Sequence, residues 1–502
     1  MFHLSKYRRS AFTLAVVLPL AGALASQGVA SGQPVTAAHA RTASGSATKW
    51  TKISTNTNLS IASAGLSRTA DGRLHVVWAS RDGLTFSMHY STVGGRAKLL
   101  NTGTIVKHWA GISSYPMLVS GPGKGLRLIF TGGNGVSNSP FDTGAMYTAT
   151  ATPAGTSWKL VTGSLSQSKL VPLTNTTAAT RSDGTPVAAW STFSALGYHV
   201  GVDPNIPASA PDQSFGVGAG DELVTPTVIR AKNGAILGAW FNGSGQADQG
   251  YYVAQILPAK AAAVKAPSSG GKNVGNNQNL QPVAFTARAG GREYLAYCVP
   301  TKFLNCAHID LWRVGAAKAM TVPGSSSANG SGLFVAIAAS PGGHLWVLWV
   351  NTRTNKIEVV RTNAAVTSFG SVRTLSSPAH LAEFQGLQAQ GSAGPLDVIA
   401  LALQNGSTSG PGYFDTQLLP ALRIRASKSS VPNGRTTTIT FTVQDTGDRV
   451  SGATVKFLGV TKKTGSKGMV TFTIKKGTAK GKHLVTATKN GFSAASLTIK
   501  VT

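Results

Sequence analysis

This 502-residue chain has few acidic residues, few cysteines and few charged residues of any kind. Asp and Glu number 17 against 46 Lys and Arg, which gives a formal net charge of +29. Such a charge favours anionic partners: wall polymers, acidic polysaccharides, lipid head groups or nucleic acid. Solubility in an unusual medium would explain the charge equally well. Nucleic acid is the weakest of these partners because the sequence contains no nucleic-acid recognition motif.

Only two cysteines are present, Cys298 and Cys306, and they flank an expected hairpin loop. A metal site needs more ligands than two thiols. In an oxidising compartment such a pair forms a disulfide. We therefore predict a Cys298–Cys306 disulfide, no metal site and no cofactor.

Long apolar runs are absent after the N-terminus. Residues 11–25 are apolar, follow Lys6, Arg8 and Arg9, and end in the small-x-small sequence ALA. About 15 apolar residues are fewer than the roughly 20 that a membrane-spanning helix requires. We therefore interpret residues 1–25 as a cleaved secretory signal peptide, with a membrane anchor as the alternative and residues 38–40 (AHA) as a second cleavage site.

Bulky apolar residues are almost absent from residues 26–48, which are mostly Ala, Ser, Thr and Gly. Such a segment buries too little apolar surface to order itself, so we interpret it as a flexible linker. The sequence shows no later membrane span and no C-terminal Leu-Pro-x-Thr-Gly sorting pattern. We expect a secreted, extracellular protein, either released or held non-covalently at the cell envelope, and a monomer.

A long helical pattern is also missing. The chain has 58 Gly and only 13% charged residues, and it is rich in Thr and Val, a composition typical of β proteins. One unit recurs along it: a β run, a turn containing glycine, and a second β run ending in an aromatic residue. The clear copies are residues 66–78 (LSRTADGRLHVVW), 178–190 (AATRSDGTPVAAW), 228–240 (VIRAKNGAILGAW) and 337–349 (IAASPGGHLWVLW).

Weaker copies of the unit end at Phe130 and Tyr297, and a seventh copy, residues 387–400, lacks the aromatic residue. Successive copies end 50 to 60 residues apart. A period near 50 with several short strands matches one four-stranded blade of a β-propeller. We therefore predict an all-β fold with a propeller over residues 49–419, of seven blades in preference to six. An array of β-sandwiches is the alternative.

The unit resembles the blades of sialidase-like propellers, in which a Ser-x-Asp-x-Gly-x-Thr-Trp motif lies between the third and fourth strands. Gly155-x-Ser157-Trp158 occupies that position in the second unit, with Pro153 in place of the motif's Asp. The resemblance covers roughly residues 50–415 and implies the fold. It does not imply sialidase activity, because the Phe/Tyr-Arg-Ile/Leu-Pro motif that carries the first sialidase arginine is absent, and propellers host unrelated functions.

After Pro420 the sequence changes to alternating strands rich in Lys and Thr. Residues 451–492 resemble the small bacterial Ig-like or carboxypeptidase-regulatory-like domains of secreted proteins. We therefore predict an Ig-like β-sandwich over residues 420–502. From Leu422 onward this part has 15 Lys or Arg but only Asp445 and Asp448 as acidic residues, so it is the better candidate for attachment to an anionic surface. A spacer domain with solvated lysines is the alternative.

If the strands run as in the resembling family, the loops after each second strand and between blades share one face, where ligands bind. We predict ligand contacts there from Arg81, Asp82, Trp109, Tyr115 and Asp248, with Trp109 and Tyr115 able to stack on sugar rings. Each of these is otherwise an ordinary loop residue. Further polar candidates on the same face are His108, Asp142, Asp212, Asp221, Glu222, Arg353 and Glu383.

No recognisable catalytic centre emerges from the motifs. Nucleophile-elbow, zinc-binding and P-loop patterns are missing, and Asp248 forms a hydrolytic carboxylate pair only if the fold brings it to Asp221 or Glu222. His75 and His344 lie at equivalent positions beside the turn of their units, which indicates a structural role. We therefore predict a secreted propeller that binds glycan or protein, with a carbohydrate-active hydrolase or lyase as the alternative.

Overall fold

A computed structural model describes residues 49–54, 63–82, 85–110, 116–120, 125–134, 145–152, 154–161, 174–191, 195–200, 213–216, 223–242, 249–270, 282–300, 306–329, 332–378, 380–392, 394–406 and 411–502. The predicted signal peptide and linker, residues 1–48, lie outside this part. The described residues form strands, turns and two 3-10 helices but no α-helix, which confirms the predicted all-β class. None of their helices has the length and apolarity to cross a bilayer.

The first strand, β1 (Thr51–Lys52), belongs to the last propeller-like sheet and is described with it below. The next eight strands form one sheet made of two antiparallel sets of four, which are joined by pairing of β5 with β7. These strands are β2 (Gly65–Arg68), β3 (Leu74–Asp82), β4 (Thr85–Gly94), β5 (Lys98–Ala110), β6 (Met117–Ser120), β7 (Leu126–Asn134), β8 (Ala145–Ala151) and β9 (Trp158–Leu160).

Four separate sheets follow, each with four strands that pair antiparallel in chain order. The first two contain β10 (Thr174–Thr180), β11 (Pro186–Ser191), β12 (Ala195–Val200), β13 (Gln213–Gly216), β14 (Leu223–Arg230), β15 (Ile236–Asn242), β16 (Gly250–Leu257) and β17 (Val264–Lys265). The next two contain β18 (Ala284–Ala287), β19 (Glu293–Pro300), β20 (Cys306–Arg313), β21 (Met320–Thr321), β22 (Gly332–Ala339), β23 (Leu345–Asn351), β24 (Lys356–Arg361) and β25 (Arg373–Leu375).

The last propeller-like sheet is completed by the start of the chain. It contains β26 (Leu381–Gly391), β27 (Leu396–Gln404) and β28 (Gly412–Leu418), and β1 pairs antiparallel with β28 as the fourth strand. The Ile53 amide extends this pairing by donating to the Tyr413 carbonyl at 2.9 Å. Residues 51–53 are therefore hydrogen-bonded to residues 413–415, which follow them in the chain by more than 350 positions.

The first strands of the sets follow one another in a closed cycle. Strands β2, β6, β10, β14, β18, β22 and β26 each contact the next, and β26 contacts β2. The approach is close at Gly65 of β2, where an added Cβ would lie 2.7 Å from the Pro116 carbonyl oxygen. Many four-stranded sheets whose first strands meet in this way are consistent with a propeller.

The repeat seen in the sequence has one recurring local geometry. The turns between first and second strands place a glycine at φ between 84° and 86°, a backbone region that residues with a Cβ rarely adopt. The glycine amide closes each turn by donating to the carbonyl three residues earlier. These glycines are Gly72, Gly184, Gly234, Gly291 and Gly343. The aromatic residues that end the units are buried in the core: Trp78, Phe130, Trp190, Trp240, Tyr297 and Trp349.

Residues after 421 form two further sheets. One has the order β29-β31-β32, with β35 also paired to β31, and the other has the order β30-β37-β36-β33-β34. The strands are β29 (Arg423–Ala426), β30 (Ser430–Val431), β31 (Thr437–Asp445), β32 (Asp448–Arg449), β33 (Thr454–Phe457), β34 (Val460–Lys463), β35 (Met469–Ile474), β36 (Gly481–Thr488) and β37 (Ala495–Val501).

These two sheets share one apolar core, to which both contribute alternate residues of their strands. At its centre Phe441 and Phe472 of the first sheet meet Phe457 of the second, with ring centroids 5.3 to 5.9 Å apart in edge-to-face arrangements. Edge-to-face packing is the favoured geometry of aromatic pairs, so it stabilises the contact between the sheets. The opposite face of each sheet is left to solvent.

Candidate functional site

Each four-stranded set has two ends. The turn end carries the tight turn between the first and second strands, and the loop end carries the connection from the second to the third strand. Neighbouring turns touch: Arg230 Nη1 donates to the Arg181 carbonyl at 3.0 Å, and Arg288 Nε donates to the Gly343 carbonyl at 2.8 Å. Turn ends of neighbouring sets therefore lie side by side, and so do the loop ends.

The predicted ligand contacts belong to the loop end. Arg81 lies near the end of β3 with its side chain exposed, and Asp82 pairs with Thr85 across the β3–β4 hairpin. Other predicted contacts lie outside the described residues: Tyr115, Asp142, Asp212, Asp221, Glu222 and Asp248. The pairing of Asp248 with Asp221 or Glu222 therefore stays a prediction.

Trp109 has a different environment from the one expected. It is 2% exposed, and its ring meets the edge of Tyr147 at 4.6 Å and a tilted Phe130 at 5.5 Å between centroids. Burying this large ring among two aromatic neighbours stabilises the sheet more than exposure would. Trp109 is therefore a core residue, and its ring faces are not open to a sugar. His108, next to it, is exposed.

A set of hydrogen-bonded polar residues that the sequence motifs did not indicate lies in the β23–β24 hairpin at the loop end. Asn351 Nδ2 donates to Glu358 Oε1 at 3.0 Å, and Asn351 Oδ1 accepts the amides of Arg353 at 3.0 Å and Thr354 at 3.2 Å. Burial raises the pKa of the Glu358 carboxyl, and the bond from Asn351 opposes this rise. The Arg353 side chain is exposed beside it. The available sequence signal was an acidic residue between the apolar residues of the strand KIEVVR.

Two further loop-end features accompany this hairpin. Glu383, in β26 of the next sheet, is exposed, and the neighbouring Ala382 carbonyl accepts a bond from Asn355 Nδ2 at 3.4 Å. Cys298 in β19 and Cys306 in β20 form a disulfide across the β19–β20 connection. The disulfide holds together the two strands that flank this loop.

His75 and His344 lie at equivalent positions at the turn end. His75 Nε2 is 3.0 Å from Thr69 Oγ1, and His344 Nδ1 is 2.7 Å from the Thr362 carbonyl oxygen. Burial lowers the pKa of both imidazoles, so both are neutral at neutral pH. Both therefore serve as buried hydrogen-bonding groups.

Gly155, from the sequence that resembles the sialidase-type motif, lies in the turn between β8 and β9. Its φ is +64°, and a Cβ there would overlap the His75 ring of the preceding set. Glycine is required at this position both for the backbone conformation and for the close approach. The turn therefore contributes to packing between neighbouring sets.

Two fully buried carboxyl groups lie where the last sheet meets the first. Asp397 in β27 pairs with Arg68 from β2, and its second oxygen accepts Gln417 Nε2 at 2.8 Å. Asp415 in β28 has no hydrogen-bond partner for either carboxyl oxygen among the described residues. Burial and the neighbouring Asp397 raise the pKa of Asp415 well above its usual value. Both groups interrupt apolar strands, LDVIALALQ and GYFDTQL, which was the sequence signal for them.

The two acidic residues of the C-terminal part both contact the sheet β22–β25. Asp445 is 3% exposed and pairs with Arg361, and Asp448 Oδ2 accepts the Ala364 amide at 2.6 Å. His344 Nε2 lies 3.6 Å from Asp445 Oδ2 and 3.7 Å from Asp448 Oδ2. Burial lowers the pKa of Arg361 to about 10, and Asp448 opposes this shift. We call this group of contacts the joint.

Unlike the two acidic residues, the basic residues of the C-terminal part lie on its solvent-exposed surface. All 15 are exposed: Arg423, Arg425, Lys428, Arg435, Arg449, Lys456, Lys462, Lys463, Lys467, Lys475, Lys476, Lys480, Lys482, Lys489 and Lys500. Because Asp445 and Asp448 are occupied at the joint, the charge that this part presents to solvent is almost entirely positive. Such a surface attracts polyanions.

Metal binding has no support in the described part of the chain, where no three His, Cys, Asp or Glu side chains come together as ligands.

No protein-family model matches the sequence. No curated protein matches it either. Solved structures that resemble the chain include the polysaccharide lyase Uly1, at 11% identity over 71% of this chain and 89% of the other, with a TM-score of 0.48. The Hadza microbial sialidase Hz136 shares 9% identity over 71% of this chain and 65% of the other, with a TM-score of 0.40. The Penicillium chrysogenum α-L-arabinanase complexed with arabinobiose shares 12% identity over 74% of this chain and 97% of the other, with a TM-score of 0.39.

Proposed function

We propose that this chain is an exported β-propeller binding protein whose basic C-terminal domain attaches it to an anionic polymer of the cell envelope. In this proposal the propeller occupies residues 49–419 and has seven blades, which is supported by seven sets of four strands and by the closed cycle of their first strands among the described residues. Residues 420–502 form an Ig-like sandwich, supported by two sheets around one core. The protein acts as a monomer.

Export is supported by two independent features. The N-terminal 25 residues have the charge and apolar pattern of a signal peptide. The Cys298–Cys306 disulfide is of a kind that persists in oxidising compartments and is rare in the cytosol. In this proposal the mature protein lies outside the cytoplasm, where envelope polymers are accessible.

The segregation of charge in the C-terminal domain carries the proposal. Fifteen basic side chains face solvent, while the two acidic ones are held at the joint. Scattered solubilising charge would leave acidic groups on the same surface, and interspersed signs are the usual arrangement of a soluble domain. A surface of one sign instead provides a continuous attraction for a polyanion.

Retention of the purified full chain on an immobilised acidic polysaccharide, with a neutral polysaccharide as reference, tests the attachment. We expect retention on the acidic polymer at low salt and release as salt is raised, because contacts of this kind depend on counterion release. A propeller variant with Lys107, Lys232, Lys318 and Lys356 replaced by Gln should be retained as well as the unmodified chain. Equal retention on both polymers, or loss in the propeller variant, would contradict the proposal.

The loop end of the propeller recognises a glycan or protein ligand in this proposal. Two features support this part of the proposal. Arg81 and Arg353 are exposed at the loop end. The joint is formed by residues of the turn end, so attachment and recognition would use opposite ends of the sheets. A glycan array probed with the full chain and with Arg81→Ala and Arg353→Ala variants tests this part. Binding that is unaffected by both variants would argue against it.

One observation favours the alternative function, a carbohydrate-active enzyme. Glu358 is a half-buried carboxyl with a raised pKa at the loop end, a property of general acids in glycoside cleavage. An enzyme should release reducing sugar from glycans that it binds and lose that activity in Glu358→Gln. Binding without turnover would leave the binding protein as the function.

A further inference from the structure

The outward face of the five-stranded C-terminal sheet has a distinct composition. Along β36, Val485 and Ala487 are buried, whereas Lys482 and Leu484 on the opposite face are exposed. The strand register places one exposed lysine on the same face of each of the strands β33, β34 and β37. The lysines on this outward face are Lys456 of β33, Lys463 of β34, Lys482 of β36 and Lys500 of β37, and we call them the lysine face.

Strand register aligns these lysines. Lys482 is directly opposite Lys500, Lys456 is opposite Thr486, and Lys463 is opposite Thr454, which is itself opposite Thr488. With strands about 4.8 Å apart and a rise of about 3.3 Å per residue, the four positions follow a diagonal line of roughly 25 Å across the sheet. The charges therefore form a track and not a single point.

The pair Lys482 and Lys500 is unfavourable by itself. Like charges directly opposite on neighbouring strands destabilise a sheet, and neither ammonium group has an ion pair or hydrogen bond among the described residues. Other lysines of the domain are hydrogen-bonded: Lys462 Nζ donates to the Thr471 carbonyl and Lys489 Nζ donates to the Ser451 carbonyl, both at 2.8 Å. An anion lying across the pair would remove the repulsion.

The side chains between the lysines narrow the chemistry of that anion. Apart from Leu484, the other residues of this face all carry hydroxyl groups: Thr454, Thr461, Thr486, Thr488, Ser496 and Thr498. Arginine, whose planar fork suits carboxylates, is absent from the face, whereas lysine binds phosphate as a point charge. Aromatic residues that would stack on bases are absent too, and a flat sheet has no element that enters a nucleic-acid groove.

We propose that the lysine face binds a linear phosphodiester polymer that is not a nucleic acid, with its phosphates along the lysine diagonal and hydrogen-bonded to the intervening hydroxyls. This inference rests on the proposed function, since it names the polymer class and the surface that the basic domain uses.

The test compares two full-length variants of equal charge. One replaces Lys456, Lys463, Lys482 and Lys500 by Gln, and the control replaces Arg423, Arg425, Lys467 and Lys475, which lie on or beside the other sheet. Binding to poly(glycerol phosphate), polygalacturonate and single-stranded DNA is measured over a range of salt concentrations. Thermal unfolding of both variants establishes that they are folded.

We expect poly(glycerol phosphate) to bind the unmodified chain more tightly than the other two polymers. The lysine-face variant should lose tenfold or more in affinity, and its slope of log affinity against log salt should fall by about 3, since each contact to a flexible strand contributes about 0.7. The control variant should stay within about threefold, because it loses only long-range attraction.

Equal weakening of both variants would overturn the lysine face and leave the basic domain as a non-specific anchor. Tighter binding of polygalacturonate or DNA would overturn the polymer class and leave the attachment function standing. Failure of the unmodified chain to bind any of the three polymers would overturn the proposed function itself.

Discussion

The propeller sheets and the C-terminal sheets bury their strands differently. All seven residues of β23 (LWVLWVN) are buried, whereas β35 (MVTFTI) alternates between exposed and buried residues. A propeller sheet is covered on both faces by its neighbours, so its inner strands are apolar throughout. Each C-terminal sheet is covered on one face only, so every second residue remains available.

This difference determines where each region can hold a functional surface. In the propeller the inner strands, such as β23, are buried, and solvent reaches the outer strands and the strand ends, so the recognition that we propose lies at the loop end. In the C-terminal part the outward face of each sheet is open to solvent, and all 15 basic residues of this part are exposed, on its strands and on its turns. The carboxyl groups of Asp397 and Asp415, within propeller strands β27 and β28, are instead buried, and their charge must be compensated or removed by protonation there.

The largest expected effect separates the two regions directly. Trp349→Ala removes a fully buried ring from β23 and should lower the free energy of unfolding by about 3–5 kcal/mol. All nine tryptophans lie between Trp50 and Trp349, so tryptophan emission during denaturant unfolding reports the propeller alone. The matched variant Phe441→Ala, in the C-terminal core, should leave that emission midpoint unchanged. A shift with both variants would mean that the regions unfold as one unit.

The joint is the next test. Asp445→Ala leaves the buried Arg361 without its partner and should cost about 3 kcal/mol, since an unpaired buried charge is strongly destabilising. Because Arg361 belongs to β24, the cost should appear in tryptophan emission although the substitution lies in the C-terminal part. The double variant Arg361→Met with Asp445→Leu should recover most of the loss. No change in the single variant would show that the regions are not coupled through this pair.

Asp415→Asn should have a smaller and opposite effect. The pKa of Asp415 is raised in the folded state above its usual 3.8. Below pH 3.8 the carboxyl is protonated in both states and does not change the free energy of unfolding. As the pH rises through the folded pKa, ionisation of the buried carboxyl lowers that free energy. The neutral variant should therefore be more stable than the unmodified chain at neutral pH, and equally stable in acid. Stability curves measured by tryptophan emission should converge as pH falls. Parallel curves would show that Asp415 is ionised without penalty.

The smallest effect concerns the free sheet faces. Lys482→Thr removes the like-charge pair with Lys500 and should stabilise the chain by about 0.2–1 kcal/mol in the absence of polymer. Raising the salt concentration should shrink the gain, because these charges are exposed and screened. Far-UV circular dichroism during thermal unfolding measures it, with Lys456→Thr, which faces a threonine on each side, as the reference. An equal gain in the reference would exclude the cross-strand repulsion as its cause.

Local features of the fold could be predicted from the sequence because they depend on neighbours in the chain. The turn glycines Gly72, Gly184, Gly234 and Gly343 follow from the repeat, since a tight turn at positive φ needs glycine. The alternation of the C-terminal strands was equally visible. Trp109 shows the limit, because an aromatic residue near a strand end has the same pattern whether it faces the core or a ligand.

Contacts between distant strands could not be predicted. The group of Arg68, Asp397 and Gln417 joins β2, β27 and β28, and the joint brings Arg361 to Asp445 across 84 positions. A single sequence has no periodic signal for such meetings, since they depend on how whole sheets are placed. An acidic residue within an apolar strand indicates only that its carboxyl group is either paired with another side chain or protonated.

The pairing of β1 with β28 has a consequence for synthesis. Thr416 Oγ1 donates to the Lys49 carbonyl, so groups 367 positions apart are hydrogen-bonded. The ribosome delivers the N-terminal partner first, and this partner must stay unpaired until the chain has been made as far as Thr416. Completion of the ring is therefore a late event in synthesis, and until then the nascent chain exposes two open sheet edges that a holding factor would have to cover.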